Sequence, residues 1–416
     1  MSDRPEIEGT PESASDTPGP RSGHLGSRLF REITGVGLDW RNAVLVPLLA
    51  VLSALIVSAV IIAVTDVDAL RIWGSQPGEA LRGTATTIRI AFVGLFEGAF
   101  RGTAAWSETL LAAAPLILAG LSVAIGFRAG LFNIGAEGQM LMGGLIATII
   151  GVSLHLPAFI HLPLALLGGI LGGAIWGGIP GLLRAKTGAH EVITTIMLNW
   201  IAIFFIDWVL KLAFIHQGGR NDPISRDIQP TAALPRFSDD PGIRLHVGIL
   251  MALAAAAFIF WLLYRTTVGY QFRAVGYNPD SAHYAGMNVT WLYVGVMAVA
   301  GAMAGLAGAN QILGPLTRAT PGFSGGIGFD AIALALLGRS HPVGVVFAGL
   351  LFGALEAGGR GMQAATASAG TPISIDLILV VQALIVVFIA APALIRAIYR
   401  VRTGKGAEQI TRGWAA

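Results

Sequence analysis

Two acidic side chains of this 416-residue chain lie inside apolar stretches, shortly after glycines. Glu137 ends the segment Ile-Gly-Ala-Glu, and Asp330 ends the segment Ile-Gly-Phe-Asp. At membrane depth a carboxylate costs at least about 2–3 kcal/mol unless it meets water or a partner. Such a group can line a polar pathway, carry a proton or hydrogen-bond a neighbouring helix. We interpret both segments as candidates for a polar pathway, with interhelical bonding as the alternative.

Four amide side chains accompany these acids in apolar sequence: Asn133, Gln139, Asn199 and Asn310. Asn133 precedes Glu137 by four residues, so both side chains project from one face if the segment is helical. Gly135 and Gly138 weaken such a helix and allow another backbone to approach closely. We expect these amides to face the pathway or to bridge helices.

Other kinds of chemistry lack the residues that they need. The chain has no cysteine, no H-E-x-x-H metal motif and no G-x-x-x-x-G-K-[ST] phosphate loop. We find no nucleophile–base pair, so no catalytic residue, metal or cofactor is expected. The net charge of +3 is small and scattered, which argues against nucleic-acid binding.

The composition defines the class of protein. Hydrophobic residues make up 54 % of the chain, charged residues only 12 %, and glycine occurs 55 times. Residues 139–183 contain no Asp, Glu, Lys or Arg, which is enough chain for two bilayer crossings at about 20 residues each. The sequence therefore predicts an all-α fold, a polytopic transmembrane helical bundle.

We predict ten spans within a membrane domain that covers residues 41–400. Residues 1–40 and 401–416 are expected to form a disordered N-terminal tail and a C-terminal tail, both cytoplasmic. The span at 326–338 is too short to cross as a regular helix, so it should be re-entrant or broken. The stretch 88–100 is interpreted as an interfacial helix on the outer side, with a full span as the alternative. The predicted spans are 43–64, 109–127, 131–152, 162–183, 191–214, 245–264, 289–312, 326–338, 342–358 and 374–395.

The basic residues predict the orientation. If the N-terminus is cytoplasmic, the short external loops hold only Arg318 and Arg360. This distribution obeys the positive-inside rule, since most basic loop residues then lie inside: Arg128, Arg184, Lys186, Arg265, Arg273 and Arg339. The two acid-bearing segments would run in opposite directions, which is expected where inverted repeats meet at a central site. A chance match of four residues is the alternative. The alanine and glycine runs at 168–178 and 300–308 suit close helix packing.

A short helix is predicted in the cytoplasmic loop between the sixth and seventh spans. Asn278 is a good N-cap, Pro279 suits the first helical position, and Asp280 favours the positive end of the helix dipole. Gly286 suits the C-terminal stop. Because the chain has no ATPase motif of its own, this helix could dock on a separate ATPase that drives the protein. A capped loop without a further role is the alternative.

These segments together resemble the permeases of ATP-binding-cassette (ABC) importers, in the nucleoside and simple-sugar class. The first matching segment is Gly-Leu-Phe-Asn-Ile-Gly-Ala-Glu-Gly-Gln at 130–139. The others are 190–199, 273–286 and 329–342, and the resemblance covers roughly residues 45–400. It implies that a central pathway includes Asn133, Glu137, Gln139, Asn199, Asn310 and Asp330. It also implies that the cytoplasmic loop couples to an ATPase through Arg273, Gly276, Asn278, Pro279, Asp280, Ala282 and Gly286.

The same resemblance implies the partners. They are cytoplasmic ATP-binding-cassette ATPases that bind the ATP, a second permease subunit, an extracellular solute-binding lipoprotein and membrane lipid. The form of the first segment favours nucleosides over ribose-like sugars. A self-sufficient secondary transporter, with a proton carried by Glu137 or Asp330, is the rival from another class, and a membrane-embedded enzyme is a weaker third.

Overall fold

The architecture comes from a computed structural model that describes residues 40–371 and 373–400. Within these residues the chain forms fifteen α-helices and no β-strand, which confirms the predicted all-α bundle. Most of both predicted tails, residues 1–39 and 401–416, lies outside the described residues. The helices are α1 (Trp40–Thr65), α2 (Val67–Ile72), α3 (Pro77–Phe100), α4 (Gly102–Arg128), α5 (Ala136–Ser153), α6 (Ala158–Thr187), α7 (Glu191–Val209), α8 (Gly248–Arg265), α9 (Thr267–Tyr277), α10 (Pro279–Tyr284), α11 (Val289–Gln311), α12 (Ile327–Leu337), α13 (Pro342–Ser368), α14 (Ile375–Ala390) and α15 (Pro392–Tyr399).

Each of the ten predicted spans coincides with a helix, but several bounds differ. Among the described residues, eight helices are long and apolar enough to cross a membrane: α1, α4, α5, α6, α7, α8, α11 and α13. The other two, α12 and α14, have 11 and 16 residues. The span predicted at 131–152 is wrong at its start, because 131–135 is not helical and α5 begins at Ala136. α13 continues to Ser368, ten residues beyond the predicted end.

The stretch predicted as an interfacial helix belongs to the longer helix α3, which has 24 residues. It is not among the eight long apolar helices. α3 packs antiparallel against the C-terminal half of α13 through glycines, since a Cβ added at Gly98 would lie 2.7 Å from the Cα of Gly361. This half of α13 is its predicted external end, and the outer-side, interfacial position of the stretch 88–100 stays a prediction.

Helix α4 is the centre of the bundle. Every residue from Leu111 to Phe127 is buried, and α8, α11, α12 and α13 pack around it. A helix that is buried on all faces has an apolar sequence without an amphipathic pattern. This explains why the sequence predicts a membrane span at α4 but does not indicate which face of the helix is buried.

The loops sort to the two ends of the bundle as predicted. At one end, the Arg128 Nε donates to the carbonyl of Ser340 at 2.8 Å, and the Arg184 guanidinium pairs with Glu191. At the other end, the long connection between α7 and α8 bonds to Gly151, and Arg244 pairs with Glu108 at 2.5 Å. Residues expected in cytoplasmic loops thus share one end, and residues expected in external loops share the other. We name the two ends cytoplasmic and external after this predicted orientation.

Helices α5 and α12 both begin inside the bundle. At 1.5 Å per residue, Glu137 lies about 21 Å along α5 from Gly151 at the external end. Gly328 lies about 15 Å along α12 from Gly338, which adjoins the cytoplasmic end. Since Gly328 contacts Glu137, the two helices start near mid-depth and run towards opposite ends. The short predicted span at 326–338 is therefore a broken one, and the non-helical residues 317–326 lead to it from the end of the bundle that is predicted to be external.

Glycines bring α6 and α11 into backbone contact. On α6, Gly169, Gly173, Gly177 and Gly181 recur every four residues and so share one helix face. A Cβ added at Gly173 would clash with the carbonyl of Gly301 and the backbone of Gly305 on α11. Small residues at this spacing let helices approach closely where lipid offers no hydrophobic driving force, as predicted for the runs at 168–178 and 300–308.

We expect Gly173→Ala to lower the midpoint of thermal unfolding of the detergent-solubilised protein, because the added methyl overpacks the α6–α11 contact by about 1–3 kcal/mol. Gly178→Ala is the matched control, since it lies on the same helix and an added Cβ meets nothing within 4 Å. Both variants gain the same helix propensity. Equal midpoints for the two variants would contradict the proposed packing role.

Candidate functional site

The N-terminus of α12 is capped by a carboxylate from another helix. Gly326, at the N-cap position, has no side chain to accept from the first turn. Instead Glu137 of α5 accepts a hydrogen bond from the Gly328 N–H at 2.9 Å and another from the Ser324 hydroxyl. Only 4 % of Glu137 is exposed. A carboxylate at a helix N-terminus is stabilised by the orphan N–H groups and the helix dipole, so Glu137 joins the two broken helices.

The N-terminus of α5 is capped in the same way. Gly135 is its N-cap, and the amide of Asn199 on α7 takes over the capping role. Asn199 Oδ1 accepts from the Gly138 N–H at 2.8 Å, and its Nδ2 donates to the carbonyl of Ile134 at 2.9 Å. Both broken helices thus have a glycine at the N-cap position, and a polar side chain from a neighbouring helix caps each of them.

Asn133 and Gln139 form a second amide pair beside this junction. Each amide nitrogen donates to the other's oxygen, at 3.0 Å in both directions, and Asn133 Oδ1 also accepts from the Gly135 N–H. Both residues are buried. The expectation that Asn133 and Glu137 share a helix face is wrong, because Asn133 precedes α5 and turns back towards its first residues.

The side chains of the two remaining predicted pathway residues make no hydrogen bond to this cluster. Asp330 sits on α12 two residues beyond Gly328 and is exposed. Asn310 lies near the C-terminal end of α11, in the external half of the bundle, and is fully buried. Four of the six predicted residues, Asn133, Glu137, Gln139 and Asn199, therefore meet at one junction, whereas Asp330 and Asn310 do not. Their roles in a pathway stay predictions.

The predicted cytoplasmic helix is present as α10. Asn278 caps it, accepting from the Ser281 N–H at 2.9 Å, and Pro279 is its first residue. Gly286 ends it with a φ of +83°. Tyr277 and Tyr284, at either end of α10, are 88 % and 94 % exposed.

The other predicted coupling residues hold α9 and α10 in place. Ala282 is the buried residue of α10. The Arg273 guanidinium lies 5.2 Å from the centre of the Tyr264 ring. Gly276 packs so closely on Arg128 and Ala129 that a Cβ there would clash with their backbone. This contact connects α9 and α10 to the loop that leads from α4 into the junction.

Sequence reasoning missed the partners that complete the site. Ser324 and the Gly328 N–H bond to Glu137, and Glu191 accepts from the Phe132 N–H at 3.4 Å. These contacts join residues about 60 to 190 positions apart, so no local pattern could indicate them. In the part of the chain that the structure describes, no three His, Asp or Glu side chains form a metal-binding group.

We expect Glu137→Leu to lower assembly and thermal stability by about 1–3 kcal/mol, because it leaves the Gly328 N–H and the Ser324 hydroxyl buried without an acceptor. Glu137→Gln keeps one acceptor oxygen and should be milder. Asp330→Asn is the control for the unfolding midpoint only, because the exposed Asp330 side chain makes none of these hydrogen bonds. The measurement is the unfolding midpoint, with uptake normalised to the assembled complex. Full stability of Glu137→Leu with selective loss of uptake would instead assign Glu137 to the pathway.

Comparisons with known proteins agree with the resemblance in the sequence. Residues 106–390 match the family described as branched-chain amino acid transport system, permease component. The guanosine ABC transporter permease NupP of Bacillus subtilis is 38 % identical over 323 residues, which cover 77 % of this chain and 91 % of NupP. The glucose ABC transporter permease TsgB13 of Haloferax volcanii is 37 % identical and covers 82 % of this chain and 86 % of its own.

A third relative extends over still more of the chain. The nucleoside ABC transporter permease NupB of Lactococcus lactis is 34 % identical over 360 residues, which cover 85 % of this chain and 92 % of NupB. No solved structure shows a significant match. These matches favour a permease component over a membrane-embedded enzyme or a self-sufficient secondary transporter. The chain belongs to the permease family of the branched-chain amino acid transport system, and it is a multi-pass membrane permease of an ABC importer.

Proposed function

We propose that this permease translocates nucleosides by alternating access. The observation that carries the proposal is the similarity to the guanosine permease NupP and the nucleoside permease NupB over most of each chain. The glucose permease TsgB13, at 37 % identity, makes a simple sugar the second candidate. Both solutes are neutral and polar, which suits a membrane interior that offers amide and hydroxyl groups for hydrogen bonding.

The junction of α5 and α12 is where we propose that the pathway changes its accessibility. Broken helices with N-termini at mid-depth present polar groups to a solute and allow one half of a transporter to move against the other. Glu137 and Asn199 hold the closed arrangement through a few hydrogen bonds between three helices. We infer that Asn133, Gln139, Asn310 and Asp330 line the pathway when these helices separate.

The movement would be driven from the cytoplasmic end. We propose that α10, with the exposed Tyr277 and Tyr284, docks on an ATP-binding-cassette ATPase that binds and hydrolyses the ATP. Force on α10 would pass through Gly276 to the loop at Arg128 and Ala129, because their backbones are in contact. That loop leads directly into residues 131–135 and the start of α5.

The remaining partners follow from this class of importer. We propose a complex with a second permease subunit, two ATPase subunits and an extracellular solute-binding lipoprotein, surrounded by membrane lipid. Both termini would then be cytoplasmic. This orientation is supported by the basic residues at the end of the bundle that carries α10.

We expect cells that express the complete transporter to take up radiolabelled guanosine in an ATP-dependent manner. Unlabelled nucleosides should compete, and glucose should not. A deletion strain that lacks the permease gene provides the background. Uptake of labelled glucose that guanosine fails to inhibit would replace nucleosides with a sugar as the solute. Uptake that persists without ATP hydrolysis would contradict the coupling mechanism.

We expect Gly286→Val to uncouple ATP hydrolysis from uptake, because a β-branched residue at a φ of +83° costs about 1–2 kcal/mol and distorts the end of α10. Gly188→Val is the matched control. Gly188 also has a positive φ, of +70°, lies in another loop at the same end, and an added Cβ meets nothing within 4 Å at either position. The measurement is the number of solute molecules imported per ATP hydrolysed, in proteoliposomes. An equal ratio in both variants would contradict a coupling role for α10.

A further inference from the structure

Two buried polar side chains in the external half of the bundle have polar atoms without hydrogen-bond partners. Asn310 is fully buried and His246 is 2 % exposed. Neither the Asn310 Nδ2 and Oδ1 atoms nor the His246 Nε2 atom is hydrogen-bonded. Buried polar groups in proteins are nearly always hydrogen-bonded, so each exception needs an explanation. In a membrane protein, one explanation is a site for a polar solute.

The two side chains are neighbours. A Cβ added at Gly248 would clash with both the Asn310 amide and the His246 ring, so both groups lie against this glycine. A Cβ at Gly314 would clash with the Nε2 edge of the His246 ring. Glycines at both positions keep the backbone close to the polar atoms. The unpartnered atoms therefore belong to one compact group, not to two separate defects.

The hydrogen-bonding character of this group is defined. His246 Nδ1 accepts from the Gly248 N–H at 3.0 Å, so in the neutral ring the proton is on Nε2, which is a donor. Burial, together with the charge of Arg236, lowers the pKa of His246 to about 4, and the ring is therefore neutral at physiological pH. Asn310 adds one donor group and one acceptor. Such a set matches a neutral solute that has both donors and acceptors on one edge.

The backbone that covers this group is irregular. Residues Ile312–Leu316 form a turn of π-helix that contains Pro315, and the next residue, Thr317, has a φ of +57°. π-helical turns are rare and are frequent at functional sites, and a non-glycine residue at positive φ is strained. The connection between α7 and α8 lies over this segment, with the Leu234 N–H bonded to Leu313 at 2.7 Å and the Ile228 N–H bonded to Thr317 at 2.9 Å.

We propose that His246 and Asn310 form a solute-binding subsite in the external half of the permease, closed in this conformation by Ile312–Leu316. Its ligand is a neutral ring that carries donors and acceptors on one edge, such as a nucleobase. The proposal rests on the proposed function for the identity of the solute, but the site itself follows from the unpartnered atoms. The solute would reach it from outside once the covering segment moves, before it passes the junction at Glu137.

The test measures solute binding by the purified permease–ATPase complex without its binding protein. Guanosine is the probe, and the readout is the guanosine concentration that gives half of the maximal rise in unfolding midpoint. We expect His246→Phe and Asn310→Leu to raise this concentration about tenfold, because each loses a hydrogen bond to the solute. His246→Gln, which keeps an N–H donor, should restore part of the affinity.

His161→Phe is the matched control, because His161 is equally buried but both of its ring nitrogens are bonded. They contact Thr231 Oγ1 at 2.7 Å and the Ile150 carbonyl at 3.1 Å. This variant should unfold at a lower temperature in the absence of solute and keep the wild-type response to guanosine. The apo form of Asn310→Leu should be at least as stable as wild type, since it removes only unpaired buried groups. His246→Phe also removes the acceptor of the Gly248 N–H, so a lower unfolding midpoint of its apo form is expected.

The outcomes separate this inference from the proposed function. If wild type transports guanosine and His246→Phe and Asn310→Leu bind it as wild type does, the subsite is wrong. It is equally wrong if apo Asn310→Leu is destabilised as much as His161→Phe, which would mean that the Asn310 amide is structural and bonded to ordered water. If wild type transports glucose and not guanosine, the proposed solute is wrong. The subsite is then tested with glucose as the probe, by the change in the glucose concentration that gives half of the maximal rise in unfolding midpoint.

Discussion

The architecture depends on one constraint: a backbone N–H group inside the membrane must have a partner. A helix that starts at mid-depth exposes the N–H groups of its first turn where no lipid atom can accept them. α5 and α12 both start there, and each has at its N-cap position a glycine, which has no side chain to cap the helix. Asn199 caps α5 from α7, and Glu137 caps α12 from α5. These borrowed caps join three helices in a chain of hydrogen bonds.

This arrangement explains why polar residues at mid-depth are compatible with a stable bundle. Each amide or carboxylate at the junction is buried and bonded, so its desolvation is offset by contacts that a side chain exposed to lipid would lack. A hydrogen-bonded junction also differs from the glycine contacts of α6 and α11. Close packing fixes two helices along their length, whereas a few terminal hydrogen bonds can be exchanged for others when one helix moves. In the mechanism that we propose, the rigid and the changeable parts of the permease therefore use different interactions.

The two ends of the bundle are connected to this junction in different ways. On the cytoplasmic side, Gly276 brings α9 against the loop at Arg128, only a few residues before the start of α5. On the external side, the connection between α7 and α8 is bonded to the irregular backbone after α11. The non-helical residues 317–326 then lead from that backbone to the start of α12. Both ends thus reach the junction through short non-helical segments, which can change conformation without breaking a long helix.

The sequence by itself determined the class of fold, the positions of ten helices, the small-residue faces and the capped helix at α10. These features follow from local composition and spacing, which depend on residues within one or two turns of each other. The sequence also singled out Asn133, Glu137, Gln139 and Asn199, because polar residues in apolar sequence are conspicuous. It could not decide that Asn133 lies outside a helix, that Glu137 bonds to residues near position 328, or that His246 lies beside Asn310. Those outcomes were decided only by the tertiary structure, because the partner of a buried polar group comes from whichever distant segment the packing brings within hydrogen-bond distance.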